Sequence, residues 1–231
     1  MVSVAQGTVV LFSDIGCPWA HVAVSRFLAA RRRLGLEDEV SLDHRAFPLE
    51  LFNQRPTPWR ILVAEIPVVG ALDPGAGWQV WQGEPFQWPV TTLLALEAVQ
   101  AAKEQGSRAS EQLDRALRVV FYAESGCISL RHVVLGTAER CPAVDVGALG
   151  DALDEGRGRR LVIDQWHQAT EWQVQGSPHF FLADGTDVHN PGVESRWEGE
   201  KGSGFPVVTG WDPGAYDDLL LRAAGRASTA A

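Results

Sequence analysis

The first fifty positions change from a continuous apolar run to helical spacing and then to strict alternation. Residues 8–13 contain four consecutive apolar side chains, which is typical of a buried β-strand. Residues 18–34 carry apolar side chains at helical spacing and end in a basic run before Gly35, as helices often do. Residues 40–47 alternate between apolar and polar side chains, so they indicate a second strand. A right-handed crossover would pair the two strands in parallel.

The middle of the chain first loses its regular pattern and then becomes helical. Residues 53–89 are rich in proline and tryptophan and predict a long irregular segment, with one short helix near residues 60–65. Apolar side chains then recur at helical spacing in five segments, which predict helices over residues 91–103, 111–124, 131–141, 146–154 and 156–174.

The last part of the chain returns to strand patterns. Residues 180–182 and 187–189 flank the turn sequence Ala-Asp-Gly-Thr and predict a β-hairpin. Residues 194–204 are charged and glycine-rich, so we expect a mobile loop there. Residues 213–223 predict a final helix, and residues 226–231 a frayed end.

Composition excludes several classes of function. The 231 residues carry a net charge of −9, which disfavours nucleic acid and anionic membrane surfaces as partners. No apolar run has the length of a membrane-spanning helix, and the N-terminus lacks the pattern of a secretory signal. Three cysteines, distant in sequence and without a zinc-type pairing with histidines, argue against a disulfide scaffold or a metal site. A reducing cytoplasm is therefore the expected location.

The strongest chemical signal is the sequence Cys17-Pro18-Trp19-Ala20 at the start of the first predicted helix. Pro18 suits the first helical position, where its missing N–H would have no partner. Cys17 then lies at the helix N-terminus, where unpaired N–H groups and the helix dipole favour a thiolate. A dithiol site would have a second cysteine at position 20, so this pattern predicts chemistry at a single cysteine.

Three further side chains have a functional and a plain interpretation. His21 shares the helix face of Cys17, and a protonated imidazole there would favour the thiolate; the alternative is a packed or solvated histidine. Cys127 lies between two predicted helices and could resolve a mixed disulfide of Cys17, although an idle thiol is the simpler interpretation. Trp19 either shapes substrate access or packs beneath the helical segment.

Two distant stretches carry a family resemblance. Residues 14–19 resemble the active-site entry of DsbA-like thioredoxin-fold proteins, in the branch of FrnE-like oxidoreductases, kappa-class glutathione transferases and hydroxychromene carboxylate isomerases. Residues 174–182 resemble the loop that holds a cis-proline beside that site, followed by a strand. The resemblance extends over roughly residues 8–192. It departs from the dithiol members at Ala20.

The resemblance implies an α/β fold: a thioredoxin-like domain with an inserted α-helical cap. Residues 1–52 and 175–231 would form the thioredoxin-like domain, and residues 53–174 the insertion. The Ser177–Pro178 bond would be cis. Ser177 would offer its backbone to a bound thiol, and Pro178 would pack near the Cys17 sulfur.

The implied function is thiol–disulfide exchange at Cys17, with Pro18, Trp19, Ser177 and Pro178 contacting the substrate. The expected partner is a small thiol or a small-molecule or protein disulfide. Glutathione or another low-molecular-weight thiol would be the co-substrate, with no covalently bound cofactor and no metal. A homodimer is left open.

Two alternatives remain at this stage. One is a glutathione-transferase-like or isomerase-like enzyme, in which a bound small thiol reacts and Cys17 stabilises its thiolate. The other is a catalytically idle binding module that keeps the cleft of the fold.

Overall fold

The computed structural model describes residues 3–56 and 58–226. The frayed end predicted for residues 226–231 therefore lies, apart from Arg226, outside the described residues. A four-stranded sheet has the order β2-β1-β3-β4, in which β1 and β2 are parallel and the other neighbours are antiparallel. The strands are β1 (Thr8–Ser13), β2 (Ser41–Ala46), β3 (His179–Phe181) and β4 (Asp187–His189). The predicted parallel pair and the predicted hairpin are confirmed.

One helix joins β1 to β2, most of the others fill the chain between β2 and β3, and the last one lies near the C-terminal end of the described residues. The helices are α1 (Pro18–Arg33), α2 (Leu49–Asn53), α3 (Trp59–Gly70), α4 (Leu93–Ala101), α5 (Ser107–Tyr122), α6 (Arg131–Ala138), α7 (Val146–Asp154), α8 (Arg157–Glu171) and α9 (Ala215–Ala223). Short 3₁₀ helices cover Pro74–Ala76, Pro85–Gln87 and Ala102–Gln105.

Both faces of β1 are buried, because successive side chains of a strand point to opposite faces. Val9 and Leu11 pack with Phe27 of α1 and Tyr216 of α9. Phe12 points the other way, and its ring meets the rings of Trp172 and Phe181 at 5.6 Å and 5.9 Å. Burial on both sides explains why β1 is a continuous apolar run and not an alternating one.

The helices between β2 and β3 have their own core, and it is continuous with one end of the sheet. Leu113, Leu117 and Phe121 of α5 are buried in the same cluster as Ile15, which follows β1, and Ala46, the last residue of β2. Helix α5 therefore runs beneath the segment that joins β1 to α1. This position brings the polar residues of α5 to that segment.

Helix α3 is longer than the sequence predicts. It has 12 residues and keeps Pro67 inside it, where the sequence predicts a short helix in an irregular segment. Pro67 lies in the last turn, so only one backbone hydrogen bond near the helix end is lost. Burial of Leu62, Ile66 and Val69 stabilises the helix despite the proline.

The loop predicted for residues 194–204 is wrong over residues 194–198, which form a strand, while residues 199–204 make the turn to the next strand. Val193–Glu198 (β5) and Phe205–Trp211 (β6) pair as a separate antiparallel hairpin. The charged residues of β5 lie on its exposed face. Their density makes the segment resemble a loop when only the sequence is considered. Val193 and Val208 pack against the cluster that contains Cys17, so tertiary packing decides the structure here.

Candidate active site

Cys17 occupies the N-cap position of α1, four residues after the end of β1. Its sulfur donates to the carbonyl oxygen of Ser177 at 3.1 Å. The Ser177–Pro178 peptide bond is cis. Pro18 is the first residue of the helix and is buried. The structure thus brings Cys17, Pro18, Ser177 and Pro178 together, and leaves only 5% of Cys17 exposed.

A buried carboxylate organises the turn before Cys17. The Asp14 side chain accepts hydrogen bonds from the backbone N–H groups of Gly16 and Leu49, both at 2.8 Å, and from the Thr92 hydroxyl at 3.2 Å. The backbone N–H of Asp14 donates to the Ser177 hydroxyl oxygen at 2.9 Å. Burial raises the pKa of Asp14, and the three hydrogen bonds oppose that rise. Asp14 therefore joins the turn to the Ser177 loop and to the helical region.

A buried arginine supports the same turn from α5. Arg118 donates to the Asp14 carbonyl oxygen at 3.0 Å and to the Ser13 hydroxyl at 2.8 Å. It also forms an ion pair with Asp114, one turn earlier, at 2.8 Å. Burial disfavours the charge of Asp114, but Arg118 and His44 outweigh it and hold the pKa of Asp114 below its usual value. The pair anchors the backbone leading to Cys17.

The thiol itself is neutral in this arrangement, contrary to the expectation of a thiolate. Burial raises the pKa of Cys17 to about 12. The Ser177 side chain and the backbone N–H of Ala20 lower it, while the carboxylates of Glu65 and Asp14 raise it. The cost of desolvating a charged sulfur therefore outweighs the stabilisation that the helix N-terminus offers to a thiolate.

Trp19 joins the active-site helix to the helical region. Its indole N–H donates to the Glu65 carboxylate of α3 at 3.1 Å, and the side chain is buried. Burial raises the pKa of Glu65, and the bond from Trp19 and the charge of Lys201 oppose the rise. Of the two interpretations of Trp19, packing beneath the helical region is the one that the structure supports.

His21 does not act as a nearby cation, which corrects the prediction of a protonated helper. Burial and, to a lesser extent, the charge of Arg118 lower its pKa to about 4. Its ring is stacked on Tyr122 at 4.7 Å and meets Trp78 edge-on at 4.5 Å. His21 is therefore neutral at physiological pH and forms part of an aromatic cluster.

The other two cysteines are free thiols. Cys127 is half-buried, and no disulfide joins it to Cys17, so its resolving role stays a prediction. Cys141 is buried, and its sulfur donates to the Thr137 carbonyl oxygen at 3.6 Å. Among the described residues there is no group of three or more His, Cys, Asp or Glu placed to hold a metal ion.

Sequence reasoning missed four polar residues of the site: Asp14, Glu65, Arg118 and Tyr122. Asp14 lies within the motif that carries the family resemblance, so its place near Cys17 was predictable, but its hydrogen-bond partners were not. The spacing of Asp114 and Arg118 is that of an ordinary helix ion pair. Nothing in the spacing of these two residues indicates that the pair is buried. Glu65 and Tyr122 had no signal at all.

Comparisons with known proteins agree with this geometry. The sequence matches the family described as DSBA-like thioredoxin domain over residues 8–199. No curated protein matches the chain at a significant level. Within the described residues, none of the helices combines the length and apolar character that crossing a membrane requires.

Solved structures share the fold at low sequence identity. The probable DsbA oxidoreductase from Streptomyces coelicolor is 18% identical with a TM-score of 0.65, covering 97% of this chain and 92% of that one. The cytosolic disulfide reductase DsbM from Pseudomonas aeruginosa is 15% identical with a TM-score of 0.61, covering 94% and 95%, and is also solved with GSH. A 2-hydroxychromene-2-carboxylate isomerase is 16% identical with a TM-score of 0.54, covering 78% and 87%.

Proposed function

Since the chain belongs to the family of DSBA-like thioredoxin domains, we propose that it is a thiol–disulfide oxidoreductase that works through Cys17 alone. The observation that carries the proposal is the 3.1 Å contact between the Cys17 sulfur and the Ser177 carbonyl oxygen. This contact holds a cysteine at a helix N-terminus against the Ser177 loop, and in this proposal that loop receives the substrate. Ala20 leaves no neighbouring thiol to complete an internal disulfide.

The reaction is two consecutive exchanges. In the first, the Cys17 sulfur attacks a disulfide R–S–S–R′, forms Cys17–S–S–R and releases R′–SH, which takes the thiol proton. In the second, a small thiol R″–SH attacks the mixed disulfide, restores the Cys17 thiol and leaves as R–S–S–R″. The electrons come from the small thiol, so no other reductant is required.

We propose that glutathione or another low-molecular-weight thiol is this co-substrate and that the protein works in the cytoplasm. The structural neighbour DsbM, a cytosolic disulfide reductase solved with GSH, supports both points. In this proposal residues 53–174 form the inserted helical domain, with Trp19 and Glu65 at its junction with the thioredoxin-like domain. The substrate would contact Pro18, Ser177 and Pro178.

One observation favours a second candidate function. The Cys17 thiol is neutral and already acts as a hydrogen-bond donor. A donor of this kind could stabilise the thiolate of a bound small thiol, which would then react with an electrophile as in a transferase or isomerase. In that mechanism Cys17 never forms a covalent bond.

Mass spectrometry distinguishes the two functions. After exposure to glutathione disulfide, we expect one glutathionyl group per chain, mapped to Cys17 and released by reduced glutathione. The Cys17→Ser variant is the control and should carry none at this site. If Cys17 stays unmodified while the protein turns over a thiol-conjugation substrate, the second function replaces the first. If neither occurs, the idle binding module replaces both.

A further inference from the structure

The hydroxyl group of Tyr122 is buried and has no hydrogen-bond partner among the described residues. The side chain is 1% exposed, so bulk water does not satisfy it. Buried polar groups in folded proteins are nearly always bonded, and an exception calls for a physical reason. The position of Tyr122 supplies one.

Tyr122 lies beneath the active-site turn. It follows Arg118 by one turn of α5, so the two side chains share a helix face. Arg118 donates to the Asp14 carbonyl oxygen and the Ser13 hydroxyl, in the segment that leads to Cys17. On the other side of Cys17, the His21 ring stacks on Tyr122, and the His21 backbone N–H donates to the Cys17 carbonyl oxygen at 3.1 Å. Residues on both sides of Cys17 therefore contact or neighbour this tyrosine.

Burial, together with most of the surrounding charges, keeps the hydroxyl protonated and therefore able to donate. Burial raises the pKa of Tyr122 well above its usual value, and a charge on Cys17 raises it further. The carboxylates of Glu65 and Asp14 act in the same direction, and the guanidinium of Arg118 opposes them.

The exchange reaction creates a need for such a donor. In the resting state the Cys17 sulfur is itself the donor, to Ser177. Once the sulfur carries a negative charge, it can only accept hydrogen bonds. The Ser177 side chain and the Ala20 backbone N–H are two available donors. Arg118 is engaged with Asp114, Asp14 and Ser13, and Tyr122 is a side-chain donor that remains unused.

We propose that the Tyr122 hydroxyl donates a hydrogen bond to the sulfur anion that forms at Cys17 during the exchange. The inference rests on the proposed function, because it assigns Tyr122 a catalytic role in that reaction. It also explains why a polar group is kept at this buried position.

The chain offers a matched control, because its other tyrosine, Tyr216, is equally buried at 1% exposure and packs in the core between α1 and α9. Both Tyr→Phe variants are made with Cys127→Ser and Cys141→Ala, so that iodoacetamide reports on Cys17. At a pH below the thiol midpoint the alkylation rate follows the thiolate fraction. We expect Tyr122→Phe to lower it about tenfold, which corresponds to about one pKa unit. Tyr216→Phe should leave it unchanged.

Alkylation does not require disulfide exchange. The role of Tyr122 can therefore fail while the proposed function stands, and the proposed function can fail while the role of Tyr122 stands. Equal rates in Tyr122→Phe and the unsubstituted protein would overturn the role of Tyr122. An equal fall in both tyrosine variants would overturn it too, since the effect would then be general loosening of the core. Absence of glutathionylation at Cys17 would instead remove the proposed function.

A measurement on the unsubstituted chain covers the case in which Tyr122→Phe does not fold. With ¹³Cζ-labelled tyrosine the protein gives two signals. We expect the Tyr122 signal to shift with the pH midpoint of Cys17 alkylation, and the shift to vanish in Cys17→Ser. A Tyr122 signal that stays fixed while Cys17 ionises would refute the hydrogen bond.

Discussion

The Cys17 sulfur lies 3.1 Å from the carbonyl oxygen of Ser177, although 160 positions separate the two residues in the chain. The contact joins the turn after β1 to the loop before β3. The nearby bond from the Asp14 backbone N–H to the Ser177 hydroxyl reinforces the same junction. The resting thiol is therefore neutral, buried and held by a carbonyl group.

The burial of Cys17 predicts an unusual pH dependence of alkylation. Because burial raises the pKa of the thiol to about 12, its thiolate fraction at neutral pH is below that of a free thiol. In a Cys127→Ser, Cys141→Ala background, the rate with iodoacetamide should keep rising about tenfold per pH unit beyond about 8.5, where a free thiol levels off. A plateau at or below that value would show that the helix N-terminus outweighs desolvation.

Removing the Glu65 charge should make Cys17 more reactive. The carboxylate raises the pKa of the thiol, whereas a glutamine keeps an acceptor for the Trp19 indole. We expect Glu65→Gln to increase the alkylation rate at fixed pH by about two- to tenfold, within about one pKa unit. Glu124→Gln, at an exposed position, is the control. An unchanged or slower rate in Glu65→Gln would contradict the electrostatic link.

The Arg118–Asp114 pair should matter for stability far more than a surface pair. Arg118→Met leaves the Asp114 carboxylate buried without its partner and should lower the free energy of unfolding by about 3–5 kcal/mol. Arg140→Met breaks a pair with Glu124 whose side chains are 49% and 44% exposed, and should cost less than about 1 kcal/mol. Urea unfolding measures both. Similar losses in the two variants would argue against a buried anchor.

His21 should destabilise the protein as the pH falls. Folding lowers its pKa from 6.5 to about 4, so between these values the unfolded chain binds more protons, and stability rises with pH. The contribution is at most about 3 kcal/mol, present above about pH 6.5 and lost towards pH 4. Thermal melts of His21→Asn should show a weaker pH dependence in this window, with exposed His132→Asn as control. An unchanged slope in His21→Asn would mean that the buried ring is protonated without penalty.

The sheet and the cysteine site were predictable because their signals are local. The apolar run of β1 and the Cys17-Pro18 pair at a helix start can be read from neighbouring residues. The loop around Ser177 and Pro178 was found by resemblance to a known family. These features fix the fold class and the position of the reactive sulfur.

The remaining features depend on contacts between distant residues. Pro67 suggested an irregular segment, but packing of Leu62 and Val69 keeps α3 helical. The charges of β5 suggested a loop, but the strand needs only one face for packing. Burial also reversed the expected charge states of Cys17 and His21, because desolvation depends on what covers a side chain and not on its neighbours in sequence.

The central claim is that Cys17 alone carries thiol–disulfide exchange. The direct measurement is the rate at which the protein catalyses reduction of bis(2-hydroxyethyl) disulfide by glutathione, coupled to glutathione reductase and NADPH. We predict catalysis above the background rate by the unsubstituted protein, equal catalysis by the Cys127→Ser, Cys141→Ala variant, and none by Cys17→Ser. Three results would contradict the claim: full activity of Cys17→Ser, loss of activity in the Cys127→Ser, Cys141→Ala variant, or no catalysis by the unsubstituted protein.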